Sequence, residues 1–409
     1  MAMSRRKNWF LVLLLLLVFD LSLTAQFTLP IPSGPYKTGT THISFKSQNQ
    51  SPLSTDPHEV GMHYAQVWYP TTMMQGDKAP FWPQAATSSG LLAAIFGLPT
   101  GNFGTLEAVK TNALLEVPIT EGGTPLPVIL FAHGYSFWVT QNTVLMEELA
   151  SQGFVVFSLS FAYETAYQLD NNQLKAYSFE HEPLKKRWNE IFDATTTELY
   201  KKRTLEKDPE KAWQMERSFL SRQPGLQESA QQWLAEISLW IDQLEKLQAQ
   251  HPLLKGRLNL DKIATMGHSF GGSAAVLASH HDLRVKAAIN LDGAQYGLKQ
   301  ADRLDKPLLF MYSDSKAVDI NSIYYQQSTA DYYAVAVAQT GHLSFCDMPL
   351  FAPFLAGTDL VGAAPPSEVT KVINEAVLRF LKKYLQPETN QVLDLNLKGL
   401  SFQLKRGNG

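Results

Sequence analysis

The stretch from Asp261 to Gly272, DKIATMGHSFGG, restricts the folds open to this chain more than any other. Ile263 to Met266 is short, apolar and β-rich, and it runs straight into Gly267-His268-Ser269-Phe270-Gly271. A small-residue helical pattern, Ser273 to His280, follows at once. Strand, five-residue turn and helix in that order form a G-x-S-x-G elbow. So tight a turn strains the serine backbone, and side chains two residues to either side would strike the strand or the helix. Glycines at those positions remove the clash. The elbow lifts Ser269 above the sheet with a helix N-terminus behind it, where developing negative charge is favoured. A chance Gly-Ser-Gly turn has no reason to carry these flanks.

A serine hydroxyl attacks poorly without a base. In an elbow architecture the partners follow in the chain order serine, acid, histidine. His342, in Thr340-Gly341-His342-Leu343, follows the last strand candidate on a glycine-marked loop and is the expected base. His268 precedes the serine in the elbow and is expected to point away, whereas His280 and His281 suit a helix C-terminus. Two acids compete. Asp292 and Asp314 each end an apolar run after the elbow strand, and each can reach the crevice at the strand ends; general usage in this architecture favours Asp314. The segment Phe131-Ala132-His133-Gly134-Tyr135 ends an earlier strand candidate. Backbone N–H groups of Tyr135 and Phe270 are the expected oxyanion donors, with His133 a structural loop histidine.

Further apolar runs are Val128–Ala132, Phe154–Phe161, Ala287–Leu291, Leu308–Tyr312 and Tyr332–Ala338. Runs of this length suit strands buried on both faces of a parallel sheet. His63–Tyr69 alternates like a strand, and Thr41–Lys46 is a short strand candidate inside a Pro/Gly/Ser-rich lead-in. Helical patterns cover Thr143–Ser151, Gln227–Leu247 and Ser367–Tyr384, the last closing the domain. The expected fold is therefore α/β, an α/β-hydrolase fold with a mostly parallel central sheet and helices on both faces. About residues 170–224 break the rhythm. They show no strand signal and carry Lys185-Lys186-Arg187 and Lys201-Lys202-Arg203 among Trp188, Trp213 and Phe219. A helical cap over a substrate cleft and a solvated helical insertion are both open.

Arg5, Arg6 and Lys7 precede an apolar run from Trp9 to Phe19, and Leu23-Thr24-Ala25 then leads into Gln26. This is the layout of a secretory signal peptide over residues 1–25, leaving 26–409 as the mature domain, periplasmic or secreted. An uncleaved anchor is the alternative, though the run is shorter than the ~20 residues a membrane span needs. Cys346 is the sole cysteine among 409 residues, which excludes an intrachain disulfide and paired-thiolate metal binding. A net charge of −3 leaves no electrostatic footprint for nucleic acid.

Taken in order, these segments resemble the platelet-activating factor acetylhydrolase-like branch of the α/β-hydrolases, including bacterial esterases. The resemblance begins at Gly34-Pro35-Tyr36-Lys37-Thr38-Gly39-Thr40 and Val67-Trp68-Tyr69-Pro70. It continues through Pro127–Gly134, Gly267–Gly272 and Asn290-Leu291-Asp292-Gly293 to Gly341-His342-Leu343-Ser344-Phe345. It implies a calcium-independent serine lipase or esterase with no cofactor and no metal, acting on a small-molecule ester or lipid, with transient contact at a membrane surface. It also moves the acid from Asp314 to Asp292 and assigns the oxyanion position to Tyr135. Tyr135, Phe137 and Trp138 are larger than the residues often found there, which bears on acyl preference. Rival readings are a cutinase-like polyester hydrolase, a dienelactone-type hydrolase, and a non-catalytic binding protein on the same scaffold; oligomeric state is left open.

Overall fold

The computed structural model describes residues 28–406, apart from 49, 55, 98, 100–102, 104–105, 171–172, 178, 315–320, 387–394 and 396. The signal-peptide expectation therefore lies outside the described residues. Strands appear in chain order as β1 (Lys37–Ser47), β2 (Gly61–Thr71), β3 (Lys78–Pro80), β4 (Lys110–Leu115), β5 (Leu126–Ala132) and β6 (Val155–Leu159). Then come β7 (Tyr167–Asp170), β8 (Gln173–Ala176), β9 (Leu258–His268), β10 (Val285–Leu291), β11 (Leu308–Ser313), β12 (Tyr332–Val337) and β13 (Leu400–Arg406). Among the described residues eleven of them form one sheet, in the order β13-β12-β11-β10-β9-β5-β6-β2-β1-β4-β3. From β6 through β5, β9, β10 and β11 to β12, neighbours are parallel.

Those central strands are the apolar runs, and their side chains divide by parity, as a pleated strand requires. Val128, Leu130 and Ala132 of β5 enter the core on one face, while Ile129 and Phe131 enter the core on the other. The first face is covered by α5 (Pro224–Gln250) and α6 (Phe270–His281), the second by α1 (Thr143–Ser151) and α7 (Pro366–Leu385). Trp233, Ile237, Trp240, Ile241 and Leu244 form the buried stripe of α5, so the aromatic positions read as a helix face are core.

Strand order reverses at β5. The chain leaves β5 for β6 on one side and comes back to β9 on the other. Loops leaving the carboxyl ends of β5 and β9 thus diverge at the switch point, the usual place for a ligand crevice in an open α/β sheet. The elbow and the His133–Tyr135 loop are these two loops.

Three sequence expectations need correction. The lead-in holds a full-length strand, because β1 pairs antiparallel with β2 from Lys37↔Thr71 to Ser47↔Gly61. The stretch read as strandless opens with a small antiparallel hairpin, β7–β8, too short and polar to show in its pattern. Nor does the helix α7 close the domain: β13 follows it and pairs antiparallel with β12 at the sheet edge. Beyond the hairpin the insertion is helical, as expected: α2 (Glu182–Ile191), α3 (Ala194–Leu205) and α4 (Pro209–Ser221). Its helix starts are locally encoded. Asp193 Oδ1 accepts from Thr196 N at 2.7 Å, and Asp208 Oδ1 accepts from Glu210 N and Lys211 N, with Pro209 opening α4.

Candidate active site

Ser269 sits between β9 and α6 with φ 56° and ψ −125°, a left-handed φ that a residue with a Cβ rarely adopts. Two glycines make this possible. A Cβ on Gly267 would lie 2.2 Å from the carbonyl carbon of Gly271, and a Cβ on Gly271 would lie 2.1 Å from Ala132 O. The elbow is thus pressed against the end of β5. Ser269 N donates to Leu291 O at 2.8 Å, which anchors it to the end of β10.

Three candidate residues meet there. Ser269 Oγ lies 3.0 Å from His342 Nε2, and His342 Nδ1 lies 2.6 Å from Asp292 Oδ2. With Nδ1–H donated to the carboxylate, Nε2 is left as the acceptor for the serine hydroxyl. Asp292 is 1% exposed and has φ 59°. Its Oδ1 accepts from Ser313 N at 2.7 Å and its Oδ2 from Ser313 Oγ at 3.1 Å. Two donors beside the imidazole fix the orientation of the carboxylate. Asp314, the alternative acid, is exposed, and its Oδ2 accepts from Gln339 N at 2.9 Å. It braces the loop leading to His342 and leaves the imidazole to Asp292.

The two candidate donors are also set by their neighbours. Gly134 N donates to Gln141 Oε1 at 2.7 Å, and Ser136 N donates to Glu164 O at 2.9 Å. Between them, the N–H of Tyr135 has no partner among the described residues. Phe270 is the first residue of α6, where a helical N–H has no partner within the helix. The Tyr135 and Phe270 rings meet edge to face with centroids 5.5 Å apart. Trp138 stacks on Trp82 at 4.1 Å, and Phe137 stacks on Trp138 at 5.3 Å while meeting His268 of the elbow edge to face at 6.3 Å.

The elbow histidine is more than a spacer. His268 is fully buried, accepts from Gln141 Nε2 at its Nδ1 (2.7 Å), and donates from Nε2 to His342 O at 3.1 Å. Gln141 and His268 together tie the β5 loop, the elbow and the His342 loop. Gln141 was missed by sequence reasoning, since a lone glutamine after a loop gives no signal. His133 is likewise buried and bonds through Nδ1 to Gly134 O at 2.7 Å. Burial pushes its pKa down to about 4, which keeps it neutral and structural. Cys346 is buried, its thiol donates to Leu343 O, and burial pushes its pKa up.

A second serine–histidine–carboxylate chain lies elsewhere. Ser47 Oγ is 2.8 Å from His63 Nε2, and His63 Nδ1 is 2.8 Å from Glu236 Oε2. Ser47 ends a strand in regular pairing with Gly61, and no helix starts there.

Comparison with known proteins shows the family and the fold. The sequence model of the family described as platelet-activating factor acetylhydrolase, isoform II, matches residues 21–401. The chain is 26% identical over 378 residues to the platelet-activating factor acetylhydrolase of Cavia porcellus, covering 89% of this chain and 79% of that protein. It is 24% identical over 377 residues to that of Bos taurus, covering 88% and 78%. A solved ferulic acid esterase from Streptomyces cinnamoneus superposes with a TM-score of 0.70 at 19% identity, covering 93% of this chain and all of the other, which shows a shared fold. The chain therefore belongs to the platelet-activating factor acetylhydrolase isoform II family and is a carboxylic ester hydrolase.

Proposed function

We propose that the protein cleaves short-acyl lipids or small carboxylic esters through an acyl intermediate on Ser269. The observation that carries this reading is the Ser269–His342–Asp292 chain, at 3.0 and 2.6 Å, on a strained serine at a helix N-terminus. His342 Nε2 takes the hydroxyl proton as Oγ bonds to the ester carbon. The carbonyl oxygen becomes an oxyanion and accepts from the N–H groups of Tyr135 and Phe270. His342 returns its proton to the leaving alkoxide as the ester C–O bond breaks; it then takes a proton from the attacking water and gives it to Ser269 Oγ as the acyl–Oγ bond breaks, releasing the acid and restoring the serine. Asp292 fixes the Nδ1–H tautomer and stabilises the imidazolium. Relatives named as acetylhydrolases support a short acyl group. Helix α2 of the insertion packs against the Tyr135–Phe137 loop, with Trp188 Nε1 on Ser136 Oγ at 2.9 Å and its ring edge to face with Tyr135 at 6.3 Å, which supports the insertion's reading as a cap and weighs against an open polyester-binding surface.

Two measurements test the proposal. Ser269→Ala is expected to lower kcat on p-nitrophenyl acetate by about 10⁴-fold or more, and a fluorophosphonate is expected to label wild type and not the variant. An undiminished rate in folded Ser269→Ala overturns the mechanism. A p-nitrophenyl ester series from acetate upward tests the substrate class, with kcat/KM expected to fall as the acyl chain lengthens. Export with removal of residues 1–25 belongs to the same proposal, and N-terminal sequencing of protein from the producing cells tests it.

A further inference from the structure

Glu164 lies on the loop after β6, and its side chain is 1% exposed. A carboxylate so buried needs donors, and this one collects them from three parts of the chain. Tyr135 Oη donates to Oε1 at 3.0 Å, Ser229 Oγ to Oε1 at 2.5 Å, and Trp233 Nε1 to Oε2 at 2.6 Å. Arg187 Nη1 of α2 stands 3.3 Å from Oε1, a buried ion pair, while Arg187 Nε donates to Gly225 O at 2.9 Å. The backbone takes part as well. Glu164 O accepts from Ser136 N at 2.9 Å, and the preceding Tyr163 is held at φ 69°. Thr165 Oγ1 and Ala166 N both donate to Phe137 O, at 3.0 and 2.6 Å.

These bonds converge on one peptide. The free N–H of Tyr135 lies between Gly134 and Ser136, and its direction depends on both neighbours. Glu164 grips the phenol end of Tyr135 with its side chain and the N–H of Ser136 with its backbone. Ser136 has φ 60°, and its Oγ accepts from Trp188 Nε1 of α2 at 2.9 Å. Trp233, bonded to the other carboxylate oxygen, meets Phe270 edge to face at 5.0 Å. One buried carboxylate therefore holds the Tyr135 loop directly and, through Trp233, packs on the ring of Phe270.

We infer that Glu164 is a positioning residue for the oxyanion hole, and that Arg187 makes the insertion part of that device by supplying the opposite charge. This rests on the mechanism proposed above. Hydrogen bonds aimed before the reaction are worth most where charge develops only in the transition state. Disturbing Glu164 thus lowers kcat, leaves KM nearly unchanged and weakens the binding of a tetrahedral mimic in step, and a smaller folded fraction does not produce the last of these.

The test compares wild type, Glu164→Gln and Tyr135→Phe on p-nitrophenyl acetate, with an alkyl trifluoromethyl ketone as a tetrahedral mimic. Glu164→Gln is expected to lose about 10–100-fold in kcat, within the range for a misaimed oxyanion donor, with KM within about threefold. Its affinity for the ketone is expected to fall by the same factor as kcat. Tyr135→Phe keeps the ring and removes only the hydroxyl, and an approximately three- to tenfold loss of kcat is expected; it decides the matter should Glu164→Gln not fold. Folded variants with wild-type kcat and wild-type ketone affinity overturn the positioning role. Fluorophosphonate labelling of wild type separates the two ideas. A labelled Ser269 with unaffected variants removes only the role of Glu164, whereas an unlabelled Ser269 removes the mechanism and this role with it.

Discussion

Two serine–histidine–carboxylate chains stand in this molecule with nearly the same spacing. Ser269–His342–Asp292 measures 3.0 and 2.6 Å, and Ser47–His63–Glu236 measures 2.8 and 2.8 Å. Distance alone does not separate them; their surroundings do. Ser269 has a left-handed φ, a helix starting behind it and a free N–H on the facing loop. Ser47 ends a strand in regular antiparallel pairing. Its histidine is 5% exposed and stacks on Phe45 at 4.7 Å, and Glu236 Oε1 also accepts from Trp240 Nε1 at 2.9 Å. The second chain has a base for its serine, but among the described residues no helix starts behind Ser47 to aim N–H groups at an oxyanion, and its carboxylate also serves the core. A charge relay without preorganised donors is a structural hydrogen-bond network.

The comparison is broken most readily at the carboxylates. Asp292→Asn is expected to lower kcat by about 10⁴-fold, because the imidazole is then held in the wrong tautomer. Glu236→Gln is expected to leave kcat within about twofold of wild type. Stopped assays of both variants on p-nitrophenyl acetate check this; a large loss in Glu236→Gln alone reverses the assignment.

A third histidine sharpens it through pH. His133, by the first site, has no carboxylate partner, and burial pushes its pKa from 6.5 down to about 4. A depressed folded pKa means that the unfolded chain binds the proton first. The stability due to neutral His133 is complete above about pH 6.5 and is lost as pH falls toward about 4, on the order of 3 kcal/mol in all. Urea unfolding at pH 7 and pH 4.5 is expected to show a smaller decline for His133→Gln than for wild type.

The second chain is expected to matter for folding instead. Glu236→Leu leaves His63 and Trp240 without their acceptor and is expected to cost about 1–3 kcal/mol in urea unfolding. Ser47→Ala, the mildest change, is expected to cost about 0.5–1.5 kcal/mol and to leave fluorophosphonate labelling at full intensity.

Much of the first site could be read from the sequence because its signals are local. Gly267 and Gly271 bracket Ser269 within five residues, and His342 follows an apolar run directly. Asp292 and Asp314 could not be told apart from the residues alone, since both end neighbouring strands. The family resemblance favoured Asp292, and the fold places Asp292 Oδ2 2.6 Å from His342 Nδ1. Glu164 and Arg187 gave no signal, because in sequence a buried ion pair looks like solvated charge. Arg203 and Glu216 of the insertion, paired at 2.9 Å and 2% and 1% exposed, hid in the same way. The strand β13 was missed because its pairing partner, β12, lies some sixty residues earlier, too distant for any periodicity to register.

The contact between the elbow and β5 has a consequence for how this scaffold can diversify. No methyl group fits on Gly267 or Gly271 beside Ala132, so the floor of the crevice tolerates almost no variation. On the cap reading proposed above, new substrate ranges arise from the helices α2–α4. A mutant library confined to residues 265–272 would return mostly inactive clones, while one spread over residues 181–223 holds the heritable variety.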